Sequence, residues 1–194
     1  PLLLVGHYSG ISVLEKKGTT WVYRNELKGF NQSSHYFAMD ETGDLWISHG
    51  YKGIFRIHAD SAWRSVTQSR FYGEKEGLPS AIGNNLFKIQ SGIVVTTRQG
   101  IYRYNEKAGN FLPDDQFSRL LPNGKLYDYI IQDNDGNIWY YYDHQPGVLR
   151  IQEDGTLKNI TAPFLELKGQ VIPSYGHINP LDENNVIIGV EGGF

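Results

Sequence analysis

Cysteine is absent from the 194 residues and methionine occurs once. The first absence excludes disulfides, a thiol nucleophile and a Cys-ligated zinc site; it leaves the compartment open, because exported bacterial proteins also do without cysteine. No apolar run approaches the length of a membrane span. No basic stripe accompanies the formal net charge of −3, which argues against nucleic acid as a direct partner. Helical periodicity with capping signals over ten or more residues is also missing. What is plentiful is aromatic residues, at 13% with 13 Tyr, and 22 Gly. Tyrosine, tryptophan and β-branched residues punctuated by glycine favour short strands joined by turns. Pro1-Leu2-Leu3-Leu4-Val5-Gly6 is apolar but lacks the basic flank and length of a signal peptide. Without an initiator Met, the chain reads as a segment of a longer one.

Self-similarity organises the rest. A glycine followed by a strand-like run occurs as Gly10-Ile11-Ser12-Val13-Leu14, Gly53-Ile54-Phe55-Arg56-Ile57, Gly100-Ile101-Tyr102-Arg103-Tyr104 and Gly147-Val148-Leu149-Arg150-Ile151, and begins again at Gly193-Phe194. The spacings are 43, 47, 47 and 46 residues. A second phrase precedes it. Asp40-Glu41-Thr42-Gly43-Asp44-Leu45-Trp46 matches Asp133-Asn134-Asp135-Gly136-Asn137-Ile138-Trp139, with weaker copies at Gln90-Ser91-Gly92 and Asp182-Glu183-Asn184-Asn185. Asp, Asn and Gly tolerate the left-handed backbone of tight hairpins, so each Asp-x-x-Gly reads as a turn.

Each period then holds four strands. Strand A ends at the Asp, as in His35–Met39, Leu86–Ile89 and Tyr127–Ile131; strand B carries the Trp; strand C carries the Gly-Ile phrase. Strand D is the polar edge, Trp21–Arg24 or Ala62–Val66. Four antiparallel strands per 40 to 50 residues is the pattern of a propeller blade, and stacking blades buries faces that one sheet cannot hide, Trp46 and Trp139 among them. The expected fold is all-β: a β-propeller segment of about four four-stranded antiparallel blades from a larger ring. The expected divisions are a partial blade over 1–34, blades over 35–83, 84–126 and 127–175, and a partial blade over 176–194.

Asp-x-x-Gly-x-(Leu/Ile)-Trp followed by Gly-(Ile/Val)-x-Arg resembles the two-component regulator propeller repeat. Tyr72-Gly73-Glu74-Lys75-Glu76-Gly77-Leu78-Pro79-Ser80 is similar to the connector common between such blades. The repeat around Gly92 departs, with Val94 where a Trp is expected. The resemblance implies a periplasmic sensor region of a membrane-spanning bacterial regulator. Sugar or glycan fragments are its frequent signals. An immunoglobulin-like triple-tyrosine domain follows as intramolecular partner, and a histidine kinase or helix-turn-helix output lies beyond the membrane. On that footing the membrane enters only through the parent chain, a homodimer is allowed, and no cofactor is implied.

In a propeller the B-to-C hairpins and the D-to-A connectors open on one face. The hairpins place His7, Tyr8, His49, Tyr51, Lys52, Arg98, Asp143 and His144 there. The connectors and strand-A starts add His35, Tyr36, Asn85, Asp128, His177, Asn84 and Tyr175. Aromatic faces beside amides and carboxylates suit a carbohydrate. The competing reading is that polar loops are simply solvated.

Other chemistry finds less support. Asp133-Asn134-Asp135-Gly136-Asn137 has the opening of a calcium loop but not its twelfth-position Glu, so a turn is the better reading. No two histidines show a ligand spacing. Asn31-Gln32-Ser33 and Asn159-Ile160-Thr161 fit a glycosylation pattern that arises often by chance. No G-x-S-x-G, P-loop or H-E-x-x-H occurs, and no spacing pairs two acids. Three readings stand: a noncatalytic glycan sensor first, a propeller lyase or glycosidase second, a protein-interaction scaffold third.

Overall fold

The Asp-x-x-Gly turn and the tryptophan two residues into the next strand are one device. In the second repeat Asp40 Oδ1 accepts from the backbone N–H of Thr42 (2.9 Å) and Asp44 (3.0 Å), and Oδ2 accepts from the Trp46 indole N–H (2.7 Å). In the fourth, Asp133 Oδ1 accepts from Asp135 and Asn137 amides and Oδ2 accepts from the Trp139 indole (2.8 Å). One carboxylate thus closes a hairpin and satisfies an indole N–H that would otherwise be costly to bury. Because the chain itself fills both oxygens of Asp133, the turn reading of that loop has a physical cause.

The computed structural model describes residues 1–122, 124–170, 177–182 and 185–191. Tyr175, Glu183, Asn184 and the Gly193-Phe194 phrase lie outside them. The strands form antiparallel sheets in chain order. The first has three, β1 (Leu2–His7), β2 (Gly10–Lys17) and β3 (Thr20–Glu26). The second has four, β4 (Tyr36–Met39), β5 (Leu45–His49), β6 (Gly53–Ala59) and β7 (Val66–Tyr72). The third holds β8 (Asn85–Ile89), β9 (Gly92–Thr97), β10 (Gly100–Asn105) and β11 (Asn110–Pro113), followed by a short helix α1 (Asp115–Leu120). The fourth holds β12 (Tyr129–Gln132), β13 (Ile138–Tyr142), β14 (Gln145–Ile151) and β15 (Leu157–Ile160), followed by a 3-10 turn over Ala162–Leu167. Last come β16 (Ile178–Pro180) and β17 (Val186–Ile188). Each sheet's strands neighbour one another in sequence order, the meander of a propeller blade. Among the described residues no helix is long and apolar enough to cross a membrane.

Contacts divide the chain into two compact units, residues 1–86 with 105–111, and residues 87–104 with 112–194. In the first, Ile11, Val13, Leu27 and Phe30 pack with Leu45, Ile47, Ile57 and Ala59, so the first two sheets share one core. Trp46 is fully buried, stacked on Tyr72 (5.3 Å) and edge-on to Phe111 (6.0 Å). In the second, Tyr141 and Ile178 form a core joined by Tyr129, Trp139, Val186 and Ile188.

The rhythmic glycine has a cause at Gly53. Its φ is 113°, and a Cβ there would run into the carbonyl oxygen of Tyr72 on the neighbouring strand. The connector after β7 is equally specific. Glu74–Glu76 form a 3-10 turn, the Glu76 carboxylate accepts from the Gly73 N–H (2.8 Å), and Gly77 (φ 93°) ends it with no room for a Cβ beside Phe111. Leu78 is thereby buried.

Three expectations need correction. Ala62–Ser65 is not the D strand of its repeat: β7 starts at Val66, and residues 60–65 form a turn around Asp60. The Asp60 carboxylate accepts from the amides of Ala62, Arg64 and Ser65 and from the Ser65 hydroxyl, an arrangement strong enough to place Trp63 at φ 53°. Trp139 is half-buried rather than enclosed. Strand A of the fourth repeat begins at Tyr129, because Tyr127 and Asp128 belong to the connector.

Candidate functional site

Arg98, Asp128, Asp143 and His144 meet in one open cleft of about 540 Å³, completed by Gly124, Lys125 and Leu126. Three pieces of chain build it: the β9–β10 hairpin supplies Arg98, the β13–β14 hairpin supplies Asp143 and His144, and the connector after α1 supplies residues 124–128.

The β13–β14 hairpin is unusual in its backbone. Tyr142 pairs with Gln145, leaving a two-residue loop in which Asp143 has φ 48° and His144 φ 60°. Two left-handed residues in a row make a type I′ turn, matched to strand twist but ordinarily filled by Asn-Gly. A carboxylate and an imidazole occupy these positions at some cost in backbone energy, a pattern that concentrates at binding and catalytic sites.

An aromatic cluster ties the connector to β13. Tyr127 lies 5.0 Å from Tyr142, which stacks on Tyr140 at 6.2 Å. Burial pushes the Tyr127 hydroxyl far up in pKa and that of Tyr140 to about 12, so both are neutral hydrogen-bonding groups at physiological pH. Lys125 Nζ reaches 3.5 Å from Asp143 Oδ2 and lies 5.9 Å from the Tyr142 ring centre. The fully buried Thr96 hydroxyl donates to the Tyr127 carbonyl (2.8 Å) and ties the connector to β9.

The electrostatics are mixed. Burial raises the Asp128 pKa, the nearby Asp143 charge adds to the rise, and His144 opposes it. Arg98 is exposed at the rim, and among the described residues no acidic group pairs with it. Two cations, two carboxylates and an imidazole therefore line one wall-to-wall space. Groups that both donate and accept hydrogen bonds can meet every one of them, and hydroxyls have that property.

The other residues proposed from the sequence have different fates. His7 Nδ1 accepts from the Ser9 amide (3.4 Å) while its Nε2 lies 3.1 Å from Glu26, so the ring is a strut of the β1–β2 hairpin. His49 does the same in the next hairpin, accepting from the Tyr51 amide (3.1 Å); burial lowers its pKa, as it does for His35. Lys52 donates to Gln32 (2.8 Å), and His35 packs edge-on against Tyr36 at 4.4 Å. Tyr8 and Tyr51 stand at their hairpin tips, 93% and 78% exposed. Asn85 is buried at the start of β8, beside Asn84, whose amide donates to the Ser80 carbonyl (2.9 Å). His177 precedes β16, edge-on to Tyr129. Lys125 escaped the sequence reading because it sits in a connector that does not repeat. The one signal in the sequence was the run Pro122-Asn123-Gly124, a composition typical of turns.

No protein-family model matches the chain, and no curated protein matches it. Solved structures do. The extracellular domain of BT3049, a candidate hybrid two component system of B. thetaiotaomicron, is similar over 98% of this chain and 25% of its own, with 17% identity and a TM-score of 0.63. That of BT4673, a candidate one component system from the same organism, matches over 99% of this chain and 25% of its own, at 19% identity and a TM-score of 0.59. Virginiamycin B lyase from Staphylococcus aureus matches over 96% and 61%, at 16% identity and 0.56. The chain thus spans about a quarter of the length of the two regulator domains. At such identities likeness establishes the fold alone, and with the meandering four-stranded sheets it makes this chain a segment of a β-propeller.

Proposed function

We propose that the chain is a noncatalytic, ligand-recognising part of a propeller sensor on the extracytoplasmic, periplasmic side of a membrane-spanning bacterial signal-transduction regulator. Its ligand is a carbohydrate, bound in the cleft of Arg98, Lys125, Asp128, Asp143 and His144. That cleft is the observation that carries the reading: a mixed set of charges on the hairpin and connector side, presented by a hairpin whose backbone is held in a costly conformation. Signalling then requires that ligand favour one arrangement of the propeller against the following immunoglobulin-like domain, because a ligand shifts an equilibrium only by its differential affinity for the two states. That domain, and a second copy of the chain in a dimer, are the proposed protein partners.

The test is calorimetry and thermal shift of the purified protein against a panel of neutral and acidic oligosaccharides. At least one should bind, with Arg98→Ala and His144→Ala each weakening it about tenfold, the loss of one charge-assisted hydrogen bond. Tyr51→Ala, outside the cleft, should leave it unchanged. Silence across the panel refutes the carbohydrate assignment. New reducing ends or an unsaturated product would instead favour a lyase or glycosidase, the reading to which the lyase neighbour lends its fold.

A further inference from the structure

A second pocket lies wholly within the first compact unit and shares no residue with the carbohydrate cleft. It holds about 320 Å³ and is lined chiefly by Asp44, Arg56, His58, Gln68, Arg70 and Tyr72. The register of β6 and β7 builds it. Arg56 pairs with Arg70 and His58 with Gln68, and residues two apart on a strand share a face, so these four side chains leave the sheet on one side.

The two arginines stand directly opposite each other, which costs stability unless anions accompany them. Arg56 has its anions: Asp44 (2.7 Å), Asp40 (3.1 Å) and Glu106 (3.6 Å). Arg70 has no carboxylate partner among the described residues. It lies 4.8 Å from the centre of the Tyr72 ring and donates through Nη2 to the Gly109 carbonyl (2.8 Å). Those contacts hold the guanidinium in place and leave its charge uncompensated.

His58 is held as firmly. Asp44 accepts from Arg56 Nε at Oδ2 and presents Oδ1 to His58 Nδ1 at 2.6 Å. Nε2 is then the nitrogen left for a ligand, and no described residue occupies it. It donates to an anion when the ring is protonated and accepts from a ligand hydroxyl when the ring is neutral. The Gln68 carboxamide, opposite His58, is also without a partner among the described residues.

The repeat separates scaffold from addition. Three positions after the repeat glycine stand Arg56, Arg103 and Arg150; five positions after it stand His58, Asn105 and Gln152. The arginine recurs with the fold, whereas among these three repeats the imidazole belongs to the second alone.

We infer that this pocket is an anion site. It takes the oxyanion of a small ligand, a carboxylate, sulfate or phosphate, on the Arg70 guanidinium, with His58 Nε2 and the Gln68 carboxamide as the other contacts.

Calorimetry of the purified protein with inorganic phosphate, sulfate and acetate tests it. At least one should bind saturably, and which one does so identifies the group recognised. Arg70→Ala should weaken that binding about tenfold, the loss of one charge-assisted hydrogen bond. His58→Ala and Gln68→Ala should each weaken it several-fold. Because the Gln68 side chain holds nothing else in the protein, that variant keeps the test decisive if Arg70→Ala disturbs the fold. Arg64→Ala, at an exposed arginine in the turn before β7, should leave binding unchanged. No saturable binding of any of the three anions, or an equal loss in Arg64→Ala, overturns the inference. So does a loss with Arg98→Ala in place of Arg70→Ala, which would put the anion in the carbohydrate cleft.

Discussion

The second and fourth repeats contain the same phrase and close it to different degrees. Both latch a turn carboxylate to an indole two residues into strand B. In the second, everything beyond the latch is saturated: Trp46 is fully buried, and Arg56 is held between Asp40 and Asp44. In the fourth, Trp139 is half-buried and Arg150 is exposed. The latch is therefore a property of one hairpin, whereas burial of the tryptophan and pairing of the arginine depend on neighbouring residues. The third repeat sharpens the point. Lacking both Asp and Trp, it has Arg103 bound instead to Asp114 (2.7 Å), which also caps α1 through the Phe117 amide, and to the Ser91 carbonyl (2.9 Å).

The largest expected difference is at the tryptophans. Trp46→Ala should cost about 3–5 kcal/mol, the range for a large side chain removed from a closed core, and Trp139→Ala roughly half of that or less. Urea unfolding followed by circular dichroism reads both, and equal losses would dissolve the contrast. Next come the arginines. Arg56→Ala should cost about 2 kcal/mol at neutral pH, leaving two mostly buried carboxylates facing each other, while Arg150→Ala should stay within about 0.5 kcal/mol. The sign with pH follows from Asp40. Burial alone would raise its pKa, but the hydrogen bonds from Thr42, Trp46 and Asp44 outweigh it and hold the group below its ordinary value. A depressed carboxylate contributes stability above its unfolded pKa and loses it as pH falls through the folded value. The penalty of Arg56→Ala should therefore shrink below pH ~4, and a penalty unchanged by acid would mean that packing, not charge, dominates. The smallest effect has the opposite sign. Replacing Asp143-His144 by Asn-Gly should stabilise the fold by about 1 kcal/mol, since those residues suit the left-handed turn, while emptying the cleft of two ligand groups. Loss of stability on that exchange would show that the native side chains hold the hairpin together.

Much of the fold was legible because the repeat exposes it. The glycine rhythm marks the starts of β2, β6 and β10, and Gly147 falls within β14; the Asp-x-x-Gly turns mark the A–B hairpins. Less visible was anything set by contacts that do not repeat. Ala62–Val66 reads as a polar edge strand, yet Asp60 accepts four hydrogen bonds from Ala62, Arg64 and Ser65, and the strand yields. For the cleft, hairpin placement located Arg98, Asp143 and His144 on one side of the molecule, but could not say which way a ring points. His7 and His49 obey the same placement and turn their nitrogens back onto their own hairpins. Lys125 lies in a connector, where no periodicity helps.

The carboxylate–indole latch also bears on how such chains diversify. Its parts lie six residues apart, so duplicating or deleting a repeat carries the whole device along intact. The contacts that bury Trp46 include Phe111, more than sixty positions away, and no single duplication brings both. Turns of this kind travel ready-made with each copied repeat, while the fit between neighbouring sheets has to arise separately at every junction.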